Sequence, residues 1–126
     1  MIVTAVGYAL AGLIAVAIIA IGIRFLVAPG VAAGGYGVPA ETGRPDVDAY
    51  LEVKGLRDIL SGLVVVILMV AGATHLLAWV ILGATLIPVG DAVIVWRHGG
   101  PRSIALGVHG GTAIVMVVTC ALLAVG

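Results

Sequence analysis

The sequence predicts an all-α integral membrane protein, an antiparallel four-helix bundle that forms a single transmembrane domain over residues 1–126. Apolar residues make up 63% of the chain, charged residues only 10%, and the mean hydropathy is +1.32. A soluble domain carries about 25% charged residues. In addition, four apolar runs are each about 20 residues long, which is the length that crosses a bilayer as a helix.

The first predicted span covers residues 2–27. It contains no charge before Arg24, and Pro29 and Gly30 follow it as helix breakers. A secretory signal peptide has a basic start and a shorter apolar core, so we expect this segment to be retained as a span. Residues 28–49 are rich in glycine and proline and are predicted to form one long cytoplasmic loop, partly re-entrant.

The other three spans are predicted at residues 50–73, 75–96 and 103–125. Almost nothing separates the second from the third around Gly72, so these two must form an antiparallel hairpin. The third and fourth are joined by a tight connection over residues 97–102. The chain shows no internal repeat of the kind that marks inverted-repeat transporters.

The basic residues indicate the orientation in the membrane. All six lie at or near the ends joined by the first and third connections: Arg24, Arg44, Lys54, Arg57, Arg97 and Arg102. The positive-inside rule places those connections in the cytoplasm and both termini outside. We expect the protein to lie in a bacterial cytoplasmic membrane.

The second predicted span carries most of the polar side chains. At about 100° per residue they fall within roughly a third of the helix circumference. The residues of this face are Tyr50, Lys54, Arg57, Asp58 and Ser61. One face of this helix is therefore polar over its first three turns.

Three ionisable groups reach a similar depth in the cytoplasmic leaflet. At about 1.5 Å per residue, Asp58 lies roughly 12 Å and both Asp91 and His109 roughly 9 Å from the ends of their spans. An ionised side chain at bilayer depth costs about 2.5 to 3.5 kcal/mol on insertion scales. We therefore expect these groups, with Arg57, to turn inward and form one polar cluster.

Other residues of the third and fourth spans are predicted to shape this cluster. Pro88 lacks a backbone N–H and opens its helix beside Asp91. Thr112 lies on the same helix side as His109 and extends a polar seam. On the opposite side, Gly107 and Gly111 are spaced as a small-residue pair that lets helices approach closely.

The leading hypothesis is acid/base chemistry on a lipophilic substrate such as an isoprenoid, a quinone or a polyketide-like molecule. Two carboxylates and an imidazole at low dielectric can divide the roles of acid and base. Isomerisation, cyclisation or hydration would need no cofactor. The predicted catalytic residues are Asp58, Asp91, His109 and Arg57, and the predicted substrate-binding residues are Tyr50, Lys54, Ser61, Pro88 and Thr112.

Other hypotheses stay open. In a structural or lipid-binding subunit, Arg57 and Asp91 would pair across helices while Asp58 held Lys54 or His109, fixing the helix packing. In a proton-coupled transporter, a buried carboxylate would exchange protons with a cation. A metal site is not predicted, because no local ligand spacing supports it.

Composition also bears on partners. The net charge is zero, so nothing in the composition indicates nucleic-acid binding, which typically uses a basic stripe. Cys120 is the only cysteine, so the chain forms no internal disulfide. Thin, glycine- and alanine-rich spans bury little between themselves, and we expect a homo-oligomer embedded in the lipid bilayer.

Five residue strings are specific enough to compare with known families. They are Arg24-Phe25-Leu26 followed by Pro29, Tyr36-Gly37-Val38-Pro39, the segment from Tyr50 to Gly62 with Lys54-Gly55 and Arg57-Asp58, Leu86-Ile87-Pro88-Val89-Gly90-Asp91-Ala92, and Gly107-Val108-His109-Gly110. Over essentially the whole chain they resemble domain-of-unknown-function family 4267, small four-span membrane proteins broadly similar to the DoxX-like group. The resemblance implies fold and membrane location and leaves the chemistry open.

Overall fold

The chain folds almost entirely into helices. The computed structural model describes residues 1–38, 41 and 43–126, and within these ranges it contains no β-strand. The elements are α1 (Ile2–Val27), α2 (Pro29–Tyr36), α3 (Pro45–Val70), α4 (Thr74–Ala84), α5 (Leu86–Arg97), a π-helical segment (Ser103–Gly110) and α6 (Gly111–Val125). The prediction of an all-α protein is confirmed.

Three helices are long and apolar enough to cross a membrane. They are α1, the continuous helix Thr74–Arg97 formed by α4 and α5, and the helix Ser103–Val125 formed by the π-helical segment and α6. Their length matches the roughly 20 apolar residues that a bilayer requires. The chain therefore has the character of a membrane protein.

Helix α3, which contains most of the second predicted span, is not one of these three. It is 26 residues long, but its first 14 residues carry the charged side chains of Asp46, Asp48, Glu52, Lys54, Arg57 and Asp58. It also begins earlier and ends earlier than the predicted residues 50–73. Proline at the first helical position explains the early start, since its fixed φ suits that position.

The break between α4 and α5 lies just before Pro88. Thr85 separates the two helices, although its own backbone remains right-handed helical. Because Pro88 has no N–H to donate, the carbonyl group of Ala84 loses its usual partner one turn earlier. The Thr85 hydroxyl donates to the carbonyl oxygen of Ile81 at 2.9 Å and is buried. The regular backbone hydrogen bonding is therefore interrupted at Thr85, but the helix continues to Arg97.

The connection predicted as a loop over residues 28–49 is partly helical, so that prediction is wrong for residues 29–36 and for residues 45–49, which belong to α3. Pro29 starts α2 because a missing N–H is harmless at the first helical position. Gly37 ends it with a φ of 93°, a left-handed conformation that glycine adopts without strain. The glycine-rich composition misleads because a helix packed against neighbours tolerates residues of low helix propensity. For residues 39, 40 and 42 the loop prediction lies outside the described residues.

Helices α1 and α3 pack backbone to backbone where two glycines meet. A Cβ atom added to Gly22 would lie 2.5 Å from the carbonyl oxygen of Gly55, and one added to Gly55 would lie 2.5 Å from that of Gly22. Farther along, a Cβ atom on Gly62 would lie 2.8 Å from the carbonyl oxygen of Ala15. Such contacts between small residues let membrane helices gain van der Waals contact.

The close approach predicted at Gly107 and Gly111 does not occur within this chain. Among the described residues, nothing lies within 4 Å of a Cβ atom added at either position. The spacing of two glycines shows that they share a helix face, but not that this face meets a neighbour. The prediction is therefore wrong for contacts inside the chain.

The apolar core lies between α1, α3, α4 and α6. Its buried residues are Ala11, Ala15, Val65, Leu77, Ala78, Ile81, Met116 and Leu123. The hydroxyl groups of Tyr8 and Thr74 share a hydrogen bond of 2.8 Å beside it. The later part of α1 lies outside this core. There Phe25 contacts Lys54 and Tyr36.

Candidate functional site

A polar cleft lies between α3 and α5. Its volume is about 370 Å³, and it is open on one side. The residues that line it are Tyr50, Val53, Lys54, Arg57, Asp58, Ser61, Ile87 and Asp91. Two carboxyl groups from different helices therefore face the same cavity, together with apolar side chains that suit a lipophilic molecule.

Lys54 and Asp58 form an ion pair in the wall of the cleft. The Nζ atom of Lys54 donates to Oδ2 of Asp58 at 2.7 Å, with the side chains 28% and 13% exposed. The same ammonium group lies 4.3 Å from the ring centroid of Phe25 and 4.5 Å from that of Tyr36. A carboxylate and two aromatic faces thus compensate one buried positive charge.

The side chain of His109 lies between α2 and Asp91 of the cleft. It is buried, and its Nε2 atom donates to the carbonyl oxygen of Tyr36 at 2.9 Å. A carbonyl group can only accept, so Nε2 must carry a hydrogen. The other ring nitrogen, Nδ1, lies 4.0 Å from Oδ2 of Asp91. If these two atoms close to hydrogen-bonding distance, exactly one proton must lie between them, on the imidazole or on the carboxyl group.

The π-helical segment positions His109 at its C-terminal end. Its hydrogen bonds span five residues and give a wider turn than an α-helix, and short π-helical stretches occur frequently at functional sites. The segment begins directly after Pro101 and Arg102, and the Pro101 carbonyl group accepts from the backbone N–H of Ala105 at 3.0 Å. From this segment the imidazole reaches the carbonyl oxygen of Tyr36 and faces Asp91.

Tyr36 is the residue that sequence reasoning missed. Its ring lies 4.7 Å from that of His109 and 6.1 Å from that of Phe25, both in edge-to-face geometry. Burial raises the pKa of the Tyr36 phenol well above its ordinary value, and the hydrogen bond to Asp91 and the charges of Asp91 and Asp58 raise it further. The phenol is therefore neutral at physiological pH and can donate its proton towards these carboxyl groups.

Only two signals in the sequence point to this aromatic pair. Phe25 is the single phenylalanine of the chain, and Tyr36 is an aromatic residue inside a glycine-rich connection. Aromatic residues of this kind are often interfacial anchors, so composition alone does not separate the two roles.

The structure brings most of the predicted site residues to the cleft. Tyr50, Lys54, Arg57, Asp58, Ser61 and Asp91 line it, and His109 approaches it through Asp91. Pro88 is buried in α5 without lining the cleft, and its neighbour Ile87 does so instead. Thr112 is exposed, and its hydroxyl group donates to the carbonyl oxygen of Val108 at 2.7 Å. The predicted polar seam therefore does not extend to Thr112.

Arg57 lies at the cleft but does not pair with either carboxyl group. It is exposed, and its Nη1 atom donates to the carbonyl oxygen of Val53 at 3.5 Å. Within the described residues, the cation that pairs with Asp58 is Lys54, and the imidazole that faces Asp91 at 4.0 Å is that of His109. Among the residues that the structure describes, no group of three or more His, Cys, Asp or Glu side chains is arranged to hold a metal ion.

These features define the class of the protein as an all-helical protein with helices able to cross a membrane and a polar cleft between two of its helices. The chain belongs to the family described as a domain of unknown function (DUF4267), whose model matches residues 15–123. No curated protein and no solved structure matches it. The family description assigns no activity, and the similarity to the DoxX-like group stays a prediction.

Proposed function

We propose that the protein crosses the membrane as an antiparallel four-helix bundle. In this bundle α3 is a membrane span in addition to the three long apolar helices. Gly22 of α1 meets Gly55 of α3, whereas the earlier Ala15 meets the later Gly62, as expected for helices that run in opposite directions. The side of α3 away from the cleft exposes apolar residues, including Leu56, Leu60, Leu63 and Ile67. A charged helix is accommodated in a bilayer when its polar face turns towards a cavity and its apolar face towards lipid.

Single cysteines introduced into a Cys120→Ser background test this topology. With four spans, a membrane-impermeant thiol reagent labels Glu41→Cys and His98→Cys from the cytoplasmic side and Ala71→Cys from the other side. All three native side chains are exposed, so the substitutions are compatible with folding. Labelling of the three positions from one side would contradict a transmembrane α3.

The cleft between α3 and α5 is the site of acid/base chemistry on a lipophilic substrate. The observation that carries this proposal is that Asp58 and Asp91 line one cavity while each has a different partner. Lys54 compensates the charge of Asp58, whereas Asp91 faces an imidazole with which it can share a proton. Two carboxyl groups in different surroundings are the usual means of dividing acid and base roles.

An isomerisation fits this arrangement because it balances without a cofactor. One carboxylate takes a proton from a carbon atom of the substrate, and the Asp91–His109 pair returns a proton to another atom of it. The double bond moves, and the site regains its starting protonation when a proton passes back between the two acids. The neutral phenol of Tyr36 can stabilise the negative charge of Asp91 when that carboxyl group loses its proton.

The proposal is tested by analysing the small molecules that copurify with the protein. We expect wild type and the control Asp46→Asn, whose carboxylate lies outside the cleft, to carry the same lipophilic molecule. Asp91→Asn should change its amount or its isomeric form, which mass spectrometry with chromatographic separation detects. Unchanged contents together with a lower melting temperature would favour a purely structural role for the cleft.

The structural alternative has support of its own. His109 links the π-helical segment to α2, and Lys54 links α3 to rings of α1 and α2. However, the Lys54–Asp58 ion pair lies within one helix and cannot by itself fix the register of two helices.

A transporter would produce proton flux in liposomes, which neither the enzyme nor the structural hypothesis predicts. A homo-oligomer also stays a prediction, tested by the mass of the purified protein in detergent.

A further inference from the structure

Arg57 is the charged group of the cleft that lacks an acidic partner among the described residues. Its only described hydrogen bond, to the carbonyl oxygen of Val53 at 3.5 Å, is at the long limit for such bonds. By contrast, Lys54 and Asp58 neutralise each other at 2.7 Å, and Asp91 faces His109. The guanidinium therefore keeps most of its five donors available.

No carboxyl group that the structure describes in the cleft pairs with Arg57. Lys54 and Asp58 form an ion pair of their own, and Asp91 of α5 lies 4.0 Å from the His109 ring. Arg57 lines the same cleft as Tyr50, whose side chain is exposed. A guanidinium group presents a planar fork that matches carboxylate and phosphate oxygens.

We propose that the cleft takes a single-chain amphiphile with a compact anionic head group, a carboxylate or a phosphate, which Arg57 binds. This inference rests on the proposed function, because it names the substrate class of the same site. The head group lies at the mouth between Arg57 and Tyr50, and the apolar chain lies along Val53 and Ile87. The carbon atoms next to the head group then come closest to the two acids.

The size of the cleft favours a compact ligand. Its volume of about 370 Å³ lies near the lower end of the roughly 300 to 1,000 Å³ typical of small-molecule sites. Such a volume holds a head group and the first part of one chain, and the rest of that chain leaves through the open side.

Calorimetric titration of the protein in phosphatidylcholine nanodiscs tests this proposal. The probes are dodecanoate, dodecyl phosphate, the neutral dodecanol and inorganic phosphate. We expect the two anionic amphiphiles to bind about tenfold or more tightly than dodecanol, the range given by one charge-assisted hydrogen-bonded contact. Inorganic phosphate alone should bind weakly, because it lacks the chain. Binding of inorganic phosphate as tightly as dodecyl phosphate would overturn the assignment to an amphiphile.

Arg57→Gln should remove the preference for the anionic amphiphiles and leave dodecanol binding unchanged. The matched control is Arg97→Gln, at an exposed arginine in the last turn of α5 that does not line the cleft. It should preserve the preference. Equal affinities for dodecanoate and dodecanol in the wild type, or equal losses in the two arginine variants, would overturn the proposal. Unchanged melting of Arg57→Gln shows that the variant is folded.

The two proposals fail separately. If Asp91→Asn leaves the copurified molecules unchanged while the Arg57-dependent preference persists, acid/base chemistry is wrong and anion recognition stands. If dodecanol and dodecanoate bind equally well but Asp91→Asn changes the copurified molecule, the chemistry stands and the assigned head group is wrong.

Discussion

The Nε2 atom of His109 lies 2.9 Å from the carbonyl oxygen of Tyr36, although the two residues are 73 positions apart in the chain. This bond fixes the imidazole between the end of α2 and Asp91. It also satisfies a carbonyl group at the end of a short helix, where no intrahelical partner is available. One hydrogen bond therefore serves both the packing of α2 and the orientation of a proton-handling group.

Replacing His109 by phenylalanine, which keeps an aromatic ring but has no hydrogen-bond donor, should destabilise the protein. The Tyr36 carbonyl group loses a buried donor, and we expect the free energy of unfolding to fall by about 1 to 3 kcal/mol. Equilibrium unfolding in mixed detergent micelles measures this change. His98→Phe is the control, because the His98 ring is exposed and its described hydrogen bond is to the Ile94 carbonyl group of its own helix. Equal destabilisation by the two substitutions would show that the long-range bond contributes nothing.

The Lys54–Asp58 pair should show stronger energetic coupling than an exposed pair. A double-mutant cycle with Lys54→Met and Asp58→Asn is expected to give a coupling energy of roughly 1 kcal/mol or more, because both partners are largely buried. The comparison cycle uses Arg44 and Asp46, whose side chains are 57% and 60% exposed.

For that exposed pair we expect roughly 0.5 kcal/mol or less, since solvent screens the interaction. Unfolding in the same micelles provides all the values. Coupling energies of the same size in both cycles would mean that the surroundings of the cleft do not strengthen its ion pair.

Helical periodicity predicted the parts of the site that depend on one helix. Residues 2–27 and 103–125 form helices with the predicted bounds. The polar face of α3 turns Lys54 and Asp58 towards Asp91 because charges in an apolar segment are costly when they face outward. Depth along each helix follows from the rise per residue, which is nearly constant.

The rest depends on tertiary contacts that periodicity does not encode. Lys54 lies one turn before Asp58, so their ion pair is among the predicted pairings, whereas the rings of Phe25 and Tyr36 that flank the ammonium group come from other helices. Thr112 lies in α6, just beyond the π-helical segment, and its exposed hydroxyl group bonds to the carbonyl oxygen of Val108 instead of reaching the cleft.

The contact of Gly22 with Gly55 should make an added methyl group at Gly55 destabilising. In Gly55→Ala the new Cβ atom would meet the Gly22 carbonyl oxygen at 2.5 Å, so the helices must separate. Overpacking of this type costs about 1 to 3 kcal/mol. Unfolding measurements and the melting temperature both report this loss.

Gly107→Ala is the matched control for that substitution. Among the described residues nothing lies near a Cβ atom at Gly107, so alanine should be neutral or stabilising by about 0.4 to 1 kcal/mol. A loss of stability at Gly107 as large as that at Gly55 would instead indicate that this face packs against a second copy of the chain.

The raised pKa of Tyr36 should make stability fall at alkaline pH. Because the folded state holds the phenol proton more tightly than the unfolded state, the unfolded state ionises first, from about pH 10 upward. The stability that the protonated Tyr36 phenol gives the folded state is fully present below that pH and is lost as the pH rises further. Melting temperatures recorded between about pH 8 and 11 should therefore drop less in Tyr36→Phe than in the wild type. Tyr50→Phe, which removes an exposed phenol, should retain the wild-type slope. A slope unchanged in Tyr36→Phe would mean that the phenol is not held neutral by its burial beside Asp91.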